Sequence, residues 1–409
     1  MQIENKLYPI TVTAIFLLCA ALFTSISVSA GFHILILIPG IYFSIKNFSE
    51  LKQNRSLALL SLIAIIIWST LSVVFNWQEM GKPLSHIVKL KYFVIGILSI
   101  PAFQFFWNKT KELEPEKRDR VIKVLLNTFI IAATLATISG LIGLQTGFNP
   151  LKMKKACHVE RACGMYGMYM TYGYGISLFM TILLGLIVGY QNVKKYISLK
   201  LLYACLLINL VGLILSYARG AYIGFFASVP FFFYKRNIKL FWNITLGLVL
   251  TGVLAVAFVP QINKLVFLRT RIVSGLIRVS QYKAAWIAAK ENPVFGVGYK
   301  NFEQNSNLIK KKHNIEYAYF RGHGHSNFFE HLGSTGFIGL VLLILFHLFW
   351  LKEVYVRDDL IGFISFPFVI NFFLSGQFQY TFGDGENLFL IMAIFAAMYV
   401  RNEQKSMTA

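Results

Sequence analysis

The sequence predicts an all-α integral membrane protein with about twelve transmembrane helices and one large loop between the ninth and the tenth. Its composition supports this class, since 56% of the 409 residues are hydrophobic and only 14% are charged, whereas about a quarter of a soluble domain is charged. The apolar residues also come in runs of roughly twenty, long enough to cross a hydrocarbon core at about 1.5 Å per residue. Lipid is therefore the expected solvent for most of the chain.

The apolar runs place the spans along the chain. We expect the first span to be retained as an anchor, because no small-residue cleavage site precedes the second run. The predicted spans are 8–29, 31–48, 56–75, 87–107, 121–144, 164–190, 199–217, 220–234, 238–260, 333–351, 358–376 and 387–401. The chain then divides into spans one to nine (1–260), a large polar loop (261–332), and spans ten to twelve with a tail (333–409).

Basic residues select an orientation for these spans. With the N-terminus inside, five short loops that each carry at least two Lys or Arg fall on the cytoplasmic side, as the positive-inside rule favours. These loops are 46–55, 108–120, 191–200, 235–239 and 352–359. Both termini are then expected to be cytoplasmic, and the large loop is expected to lie in the periplasm.

The large loop is basic although this topology places it outside. Long loops cross the membrane largely regardless of charge, so the topology stands. A net charge of +21 would suggest nucleic acid in a soluble protein, but in a membrane protein basic loops hold the orientation and no nucleic-acid partner is expected. The charge of the large loop indicates attraction to anionic membrane lipids or a site for phosphate-rich ligands.

Two arginines are candidate ligands for such phosphates. Arg219 lies in the segment Ser216–Ala221 at the edge of a span, and it is interpreted as a snorkelling side chain or as a bidentate phosphate clamp. Arg278 precedes a predicted amphipathic helix, which Ser280 would cap and Asn292-Pro293 would end. Because a helix N-terminus attracts anions, Arg278 is either an ordinary surface residue or part of a diphosphate site.

His325 is the candidate proton acceptor. It precedes a helix expected to begin near Asn327, and a helix N-terminus disfavours the charged imidazole, which leaves the ring neutral and able to act as a base. An isolated interfacial histidine is more often structural, and His323, His331 and His347 are interpreted that way or as weak helpers. The sequence contains no paired carboxylates and no dense cluster of metal ligands that stand out, so no metal is expected.

The four cysteines divide into two groups. Cys157 and Cys163 share a loop that the topology places in the oxidising periplasm, and their separation of six residues can close a small ring. We therefore predict a disulfide between them. Cys19 and Cys205 fall inside predicted spans, where they are expected to behave as small apolar residues.

Three motifs in the second half of the chain resemble a known family. His325-Ser326, nine residues and then Gly336-x-x-Gly339 resembles the His-[Asn/Ser/Gln]-x9-Gly-x-x-Gly signature of O-antigen ligases. The stretch from Arg278 to Gly298 and the segment Ser216–Ala221 resemble regions of the wider ligase and polymerase superfamily. The span layout and the late large loop are similar as well, so the resemblance covers nearly the whole chain.

The resemblance implies a GT-C-type glycosyltransferase in the inner membrane of a Gram-negative bacterium, with its active site facing the periplasm. The donor would be a glycan on undecaprenyl diphosphate, the acceptor would be a sugar hydroxyl of lipid A–core, and no cofactor or metal would be needed. Arg219 and Arg278 would stabilise the diphosphate, and His325 would deprotonate the acceptor, with inversion at C1.

Four further residues are candidate substrate contacts. Arg321 and His323 belong to the motif that leads to His325. Lys89 and Lys91 lie near the expected periplasmic end of the fourth span, where packing or snorkelling is the alternative interpretation.

Several rival functions remain open at this point. An O-antigen polymerase would use the same donor with a second lipid-linked glycan as acceptor, and a protein oligosaccharyltransferase of the same superfamily would use a protein. A polysaccharide transporter is expected to carry charges near the bilayer midplane and a two-fold internal repeat. The sequence shows neither clearly, which favours an enzyme.

Overall fold

The computed structural model describes residues 2–24, 26–46, 56–260 and 269–400, and these residues are mostly helical. The helices are α1 Gln2–Ala21, α2 Ile26–Lys46, α3 Leu57–Phe75, α4 Pro83–Val88, α5 Lys91–Glu112, α6 Pro115–Thr146, α7 Tyr169–Val188, α8 Leu199–Ser216, α9 Arg219–Ser228, α10 Ile238–Phe258, α11 Arg269–Glu291, α12 Phe302–Lys312, α13 Asn327–Tyr355, α14 Leu360–Ser375 and α15 Gly385–Met398. Short 3-10 helices lie at Trp77–Glu79, Tyr190–Asn192, Val229–Phe232 and Thr381–Gly383. Two-residue strands, β1 Phe148–Asn149 and β2 Lys154–Lys155, form an antiparallel pair.

The described residues contain nine helical segments that are long and apolar enough to cross a membrane. The apolar helices α14 and α15, of 16 and 14 residues, match the predicted spans 358–376 and 387–401. The predicted span 220–234 corresponds to α9, which has only 10 residues, followed by a 3-10 turn. The chain is thus a multi-pass membrane protein with a predominantly helical fold, as predicted, and the count of twelve spans stays a prediction.

Side-chain caps fix where several of these helices begin. Ser56, Ser198, Asn237 and Asp359 each accept a hydrogen bond from the backbone N–H three residues later, which satisfies a donor that the first turn leaves unpaired. Predicted span starts at 56, 199, 238 and 358 therefore lie close to the observed helix starts at 57, 199, 238 and 360.

The helix α7 lies at the centre of the bundle. In its most apolar stretch 83% of the residues are buried, whereas only 6% of the corresponding stretch of α10 is buried. Asn371 of α14 donates to the Thr181 hydroxyl of α7 at 2.9 Å and to the Ser177 carbonyl at 3.0 Å. Such interhelical hydrogen bonds satisfy polar groups where water is absent. They fix α14 against α7, whose first turns line the candidate site.

The amphipathic helix of the large loop begins earlier than predicted. The helix α11 already includes Arg269, so Ser280 lies in its interior, where the hydroxyl donates back to the Ile277 carbonyl at 2.7 Å. A serine can satisfy itself in this way as well as by capping, and the prediction that Ser280 caps the helix was wrong. The predicted end is confirmed, since α11 stops at Glu291, just before Asn292-Pro293.

The large loop also holds structure that the sequence did not predict. The helix α12 spans Phe302–Lys312. The helix α13 begins at Asn327 rather than at 333, so the predicted segment 261–332 includes its first turns. Residues 261–268 lie outside the described residues.

Candidate active site

Arg219, Arg278 and His325, which are far apart in the sequence, line one cavity of about 260 Å³. They come from the start of α9, the side of α11 and the turn before α13. The other lining residues include Arg161, Tyr169, Tyr174, Tyr217 and Phe320. The cavity therefore combines three guanidinium groups, one imidazole and an aromatic wall, which suits a ligand with phosphate and sugar parts.

A break between α8 and α9 places Arg219. The Ser216 hydroxyl donates to the Leu213 carbonyl at 2.6 Å and accepts from the Ala218 N–H at 3.2 Å. Tyr217 adopts a left-handed conformation with a φ of 54°, which ends α8. Arg219 is then the first residue of α9, and its side chain is half-buried at the cavity.

Gly220, the residue after Arg219, is required because Tyr174 and Phe378 lie too close to it to leave room for a side chain. A side chain at Gly220 would overlap the Tyr174 hydroxyl and the Phe378 side chain. The start of α9 therefore lies directly against α7, and Tyr174 lines the same cavity as Arg219. This contact gives a physical reason for the Arg-Gly pair in the motif.

Arg278 reaches the cavity from the side of a helix and not from its N-terminus. Ser274, Ile277 and Arg278 all line the cavity, and their spacing places them on one face of α11. The prediction of an anion site at a helix N-terminus beside Arg278 was wrong, because α11 extends at least nine residues further toward its start. Arg278 can act only through its own guanidinium group.

A short turn positions His325. Its φ is 47°, a left-handed conformation that costs a non-glycine residue on the order of 1 kcal/mol, and its N–H donates to His323 Nδ1 at 3.0 Å. Ser326 caps α13 by accepting from the Phe328 N–H at 3.2 Å. The prediction that His325 precedes a helix beginning near Asn327 is confirmed.

Burial keeps the His325 imidazole neutral. It lowers the pKa of His325 to about 3, and the neighbouring His323 and Arg278 act in the same direction, while a hydrogen bond with Gln379 opposes them. The neutral ring agrees with the prediction, although burial and not the helix N-terminus is the main cause. A neutral imidazole has a ring nitrogen that can accept a proton, and a bound anion beside the ring would raise the pKa of His325 and make it a stronger base.

Glu330 and Asn327 hold the turn in place. The Glu330 carboxylate accepts from the Gly324 N–H at 2.7 Å and from the Ser334 hydroxyl at 3.1 Å. Asn327 donates to the Thr381 hydroxyl at 2.9 Å and accepts from the Phe382 N–H at 3.0 Å. Both Glu330 oxygens are thereby engaged in structural hydrogen bonds, so this carboxylate positions the turn.

The segments around Gly296 and Gly336 pack against each other behind the turn that carries His325. Gly336 has a φ of 72° inside α13, and a side chain there would overlap the Pro293 and Val294 carbonyls. Gly296 has a φ of 60°, and a side chain there would overlap the backbone at Ser334. The segment 292–298 therefore packs into the kink of α13, which couples α11 to the helix that follows His325.

The other predicted contacts lie outside the cavity lining. Arg321, Lys89 and Lys91 are exposed, and none of them lines the cavity. His323 is adjacent to His325, with ring centroids 4.2 Å apart, and burial lowers its pKa. No group of three or more metal-ligating side chains that could hold an ion occurs among the described residues.

Sequence reasoning missed Arg161 as a cavity residue. It lies between Cys157 and Cys163, which are bonded as predicted, with Cα atoms 6.3 Å apart. The signal available in the sequence was an arginine inside a predicted disulfide loop. Tyr169, Tyr174 and Phe320 were also missed, since aromatic residues are too frequent in this chain to single out.

A buried lysine holds Phe320 beside His325. The fully buried Lys310 donates to the Phe320 carbonyl at 2.7 Å and to the Tyr317 carbonyl at 3.1 Å. The Phe320 ring faces the His325 ring with centroids 6.3 Å apart. Burial lowers the pKa of Lys310 to about 8.

Replacing Lys310 with methionine is expected to slow the reaction at this site about tenfold. The change leaves the Phe320 carbonyl without its lysine donor, at a cost of about 1–3 kcal/mol, while the Tyr317 carbonyl keeps the Phe320 N–H as a donor at 3.0 Å. The segment that carries Phe320 is then no longer tied to α12 through Lys310. The measurement is the turnover rate beside a thermal unfolding curve. The exposed neighbour Lys311 supplies the matched control, and equal rates for both methionine variants would contradict the positioning role.

Comparison with known proteins supports the motif assignment. A family model described as O-antigen ligase matches residues 204–344, a segment that contains Arg219, Arg278, His325 and both glycine motifs. No curated protein matches the chain. The resemblance to the O-antigen ligase superfamily that the sequence motifs predicted is thereby confirmed over the segment that carries them.

Proposed function

We propose that the protein is an O-antigen ligase, which transfers a glycan from undecaprenyl diphosphate to a sugar hydroxyl of lipid A–core. The observation that carries this proposal is the meeting of Arg219, Arg278 and His325 in one cavity. The family match supports the reaction type at the level of the ligase and polymerase superfamily.

The chemistry follows from the charges that develop during transfer. The acceptor oxygen forms a bond to C1 of the donor sugar while the bond from C1 to the diphosphate oxygen breaks, so the electron pair leaves with the diphosphate and C1 inverts. Arg219 and Arg278 stabilise the developing negative charge. His325 takes the proton from the attacking hydroxyl. This set of steps requires no metal.

The proposed setting is the inner membrane of a Gram-negative bacterium. In a GT-C-type arrangement of twelve spans, α9, α14 and α15 would be three of the spans, with both termini in the cytoplasm. The segment 261–332 would be the periplasmic loop between 1–260 and 333–409. The helix ends around the cavity would then face the periplasm, where lipid-linked glycan and lipid A–core meet.

Residues outside the cavity are suited to the acceptor. Arg321, Lys89 and Lys91 are exposed, and their charges can attract the phosphates of lipid A–core or of other membrane lipids. His323, next to the proposed base, could contact the acceptor sugar. In this proposal these residues contribute to acceptor binding and not to bond breaking.

The test is transfer with purified protein, undecaprenyl-diphosphate glycan and lipid A–core, in the presence of EDTA. We expect mass spectrometry to show glycan-modified lipid A–core. A product that is a longer lipid-linked glycan would identify a polymerase, and modification of an added protein substrate would identify an oligosaccharyltransferase. Either result, or no transfer to any acceptor, would overturn the ligase proposal.

A further inference from the structure

A closed loop presents a third arginine to the cavity. Arg161 lies inside the seven-residue segment 157–163, whose ends are joined by the disulfide, and its side chain lines the same cavity as Arg219 and Arg278. The guanidinium carbon of Arg161 lies 4.2 Å from the centre of the Tyr169 ring. The ring supports one face of the guanidinium group, and a guanidinium group stacked in this way can still donate hydrogen bonds from its edge.

The loop is fastened at three places. The disulfide closes it, the Ala162 N–H donates to the Leu215 carbonyl at 2.9 Å, and His158 packs edge-on against Tyr169 with centroids 5.3 Å apart. Tyr169 is therefore contacted by two side chains of the loop. Leu215 belongs to the last turn of α8, four residues before Arg219, so the loop and Arg219 share one anchoring point.

The charge of the expected leaving group calls for a further cation. A diphosphate gains an ionisable oxygen when its ester bond to the sugar breaks, and the second pKa of a terminal phosphate is about 6, so the group gains negative charge near pH 7. Arg219 and Arg278 supply two positive charges. A third guanidinium group within the same cavity can match the additional charge.

We propose that Arg161 is a third arginine ligand of the lipid diphosphate and that the disulfide between Cys157 and Cys163 holds it in the cavity. This inference rests on the proposed function, because it takes the lipid diphosphate as the ligand. Arg161 contacts the substrate, and the disulfide acts through Arg161 by positioning it.

The experiment compares the wild type, Arg161→Gln, Arg161→Lys and the double variant Cys157→Ser with Cys163→Ser. We expect Arg161→Gln to raise the KM for the lipid-diphosphate donor about tenfold and to leave the KM for lipid A–core unchanged. The Cys double variant should show the same change. Combining it with Arg161→Gln should add nothing further, because both changes remove the same contact.

A binding measurement separates this inference from the proposed reaction. Farnesyl diphosphate serves as the probe, with farnesyl monophosphate as its comparison, and its dissociation constant should rise about tenfold in Arg161→Gln. Lys155→Gln, which removes an exposed charge from the nearby strand pair, is the matched control and should bind the probe as the wild type does.

The outcomes are distinct. If the wild type binds the probe but transfers no glycan, and Arg161→Gln loses binding, the inference stands while the ligase proposal fails. If the wild type transfers glycan and Arg161→Gln matches it in donor KM and in probe binding, Arg161 is not a ligand. If the Cys double variant folds but leaves donor KM unchanged while Arg161→Gln raises it, the positioning role of the disulfide is wrong.

Discussion

Replacing His325 with asparagine is expected to reduce glycan transfer by at least two to three orders of magnitude while the protein stays folded. A general base contributes about 10²–10⁴ in rate, and no other group on the described part of the cavity lining has an imidazole. Asparagine is the informative replacement because it tolerates the left-handed backbone at this position and does not accept a proton. The measurement is the initial rate of lipid A–core modification.

The control for this change is His313→Asn. His313 is an exposed histidine that contacts Glu291 at 3.0 Å and lies outside the cavity, so its replacement should leave transfer unchanged. Accumulation of undecaprenyl-linked glycan in cells that carry His325→Asn would accompany the loss of ligation. Transfer by a well-expressed His325→Asn protein at more than a tenth of the wild-type rate would exclude His325 as the base.

The lowered pKa of His325 leads to an expected pH dependence of kcat and kcat/KM for the transfer reaction. Because the pKa of His325 is lowered to about 3, the base stays neutral as the pH falls from 7 to 5, and donor kcat/KM should not show the decline that an ordinary histidine would cause near pH 6.5. A bound diphosphate adds negative charge beside the ring and raises its pKa. The acid limb of kcat should therefore lie at a higher pH than that of kcat/KM.

Two of the three main site residues, Arg219 and His325, could be predicted from the sequence because each is marked by a local pattern, whereas the helix start expected beside Arg278 was wrong. Arg219 precedes a glycine at a break between apolar runs, and His325 precedes a capping serine and a glycine pair at a fixed distance. Such patterns reflect short-range constraints: Gly220 is fixed by Tyr174, and Gly336 by the Pro293 and Val294 carbonyls. That the three residues meet was a prediction from the family resemblance, and the cavity agrees with it.

Other features depend on contacts that no local pattern encodes. Serine both caps helices and bonds back to its own helix, so the start of α11 could not be placed from Ser280. The burial of Lys310 results from two carbonyls of a loop that folds over α12, and lysine is ordinarily exposed. Arg161 reaches the cavity because a disulfide loop is tied to the end of α8, which is more than fifty residues away along the chain.

Arg219→Ala and Arg278→Ala are each expected to lower kcat about 10²–10³-fold, the loss that follows removal of one preorganised donor to a developing anion. Lysine at either position should restore only part of the rate, since an ammonium group cannot offer the planar pair of donors that binds two phosphate oxygens. The measurement is single-turnover transfer from undecaprenyl-diphosphate glycan. Arg236→Gln is the control, because Arg236 is exposed just beyond the other end of α9 and its guanidinium carbon rests 4.4 Å from the Phe363 ring.

The double variant Arg219→Ala with Arg278→Ala decides whether the two residues act on one group. If both guanidinium groups hold the same diphosphate, removing the first already disturbs its position, so the second removal costs less than it does alone. We therefore expect a combined loss well below the product of the two single losses. Losses that multiply in full would mean that the two arginines act independently. In that case one of them would serve the acceptor, and the leaving group would depend on the other together with Arg161.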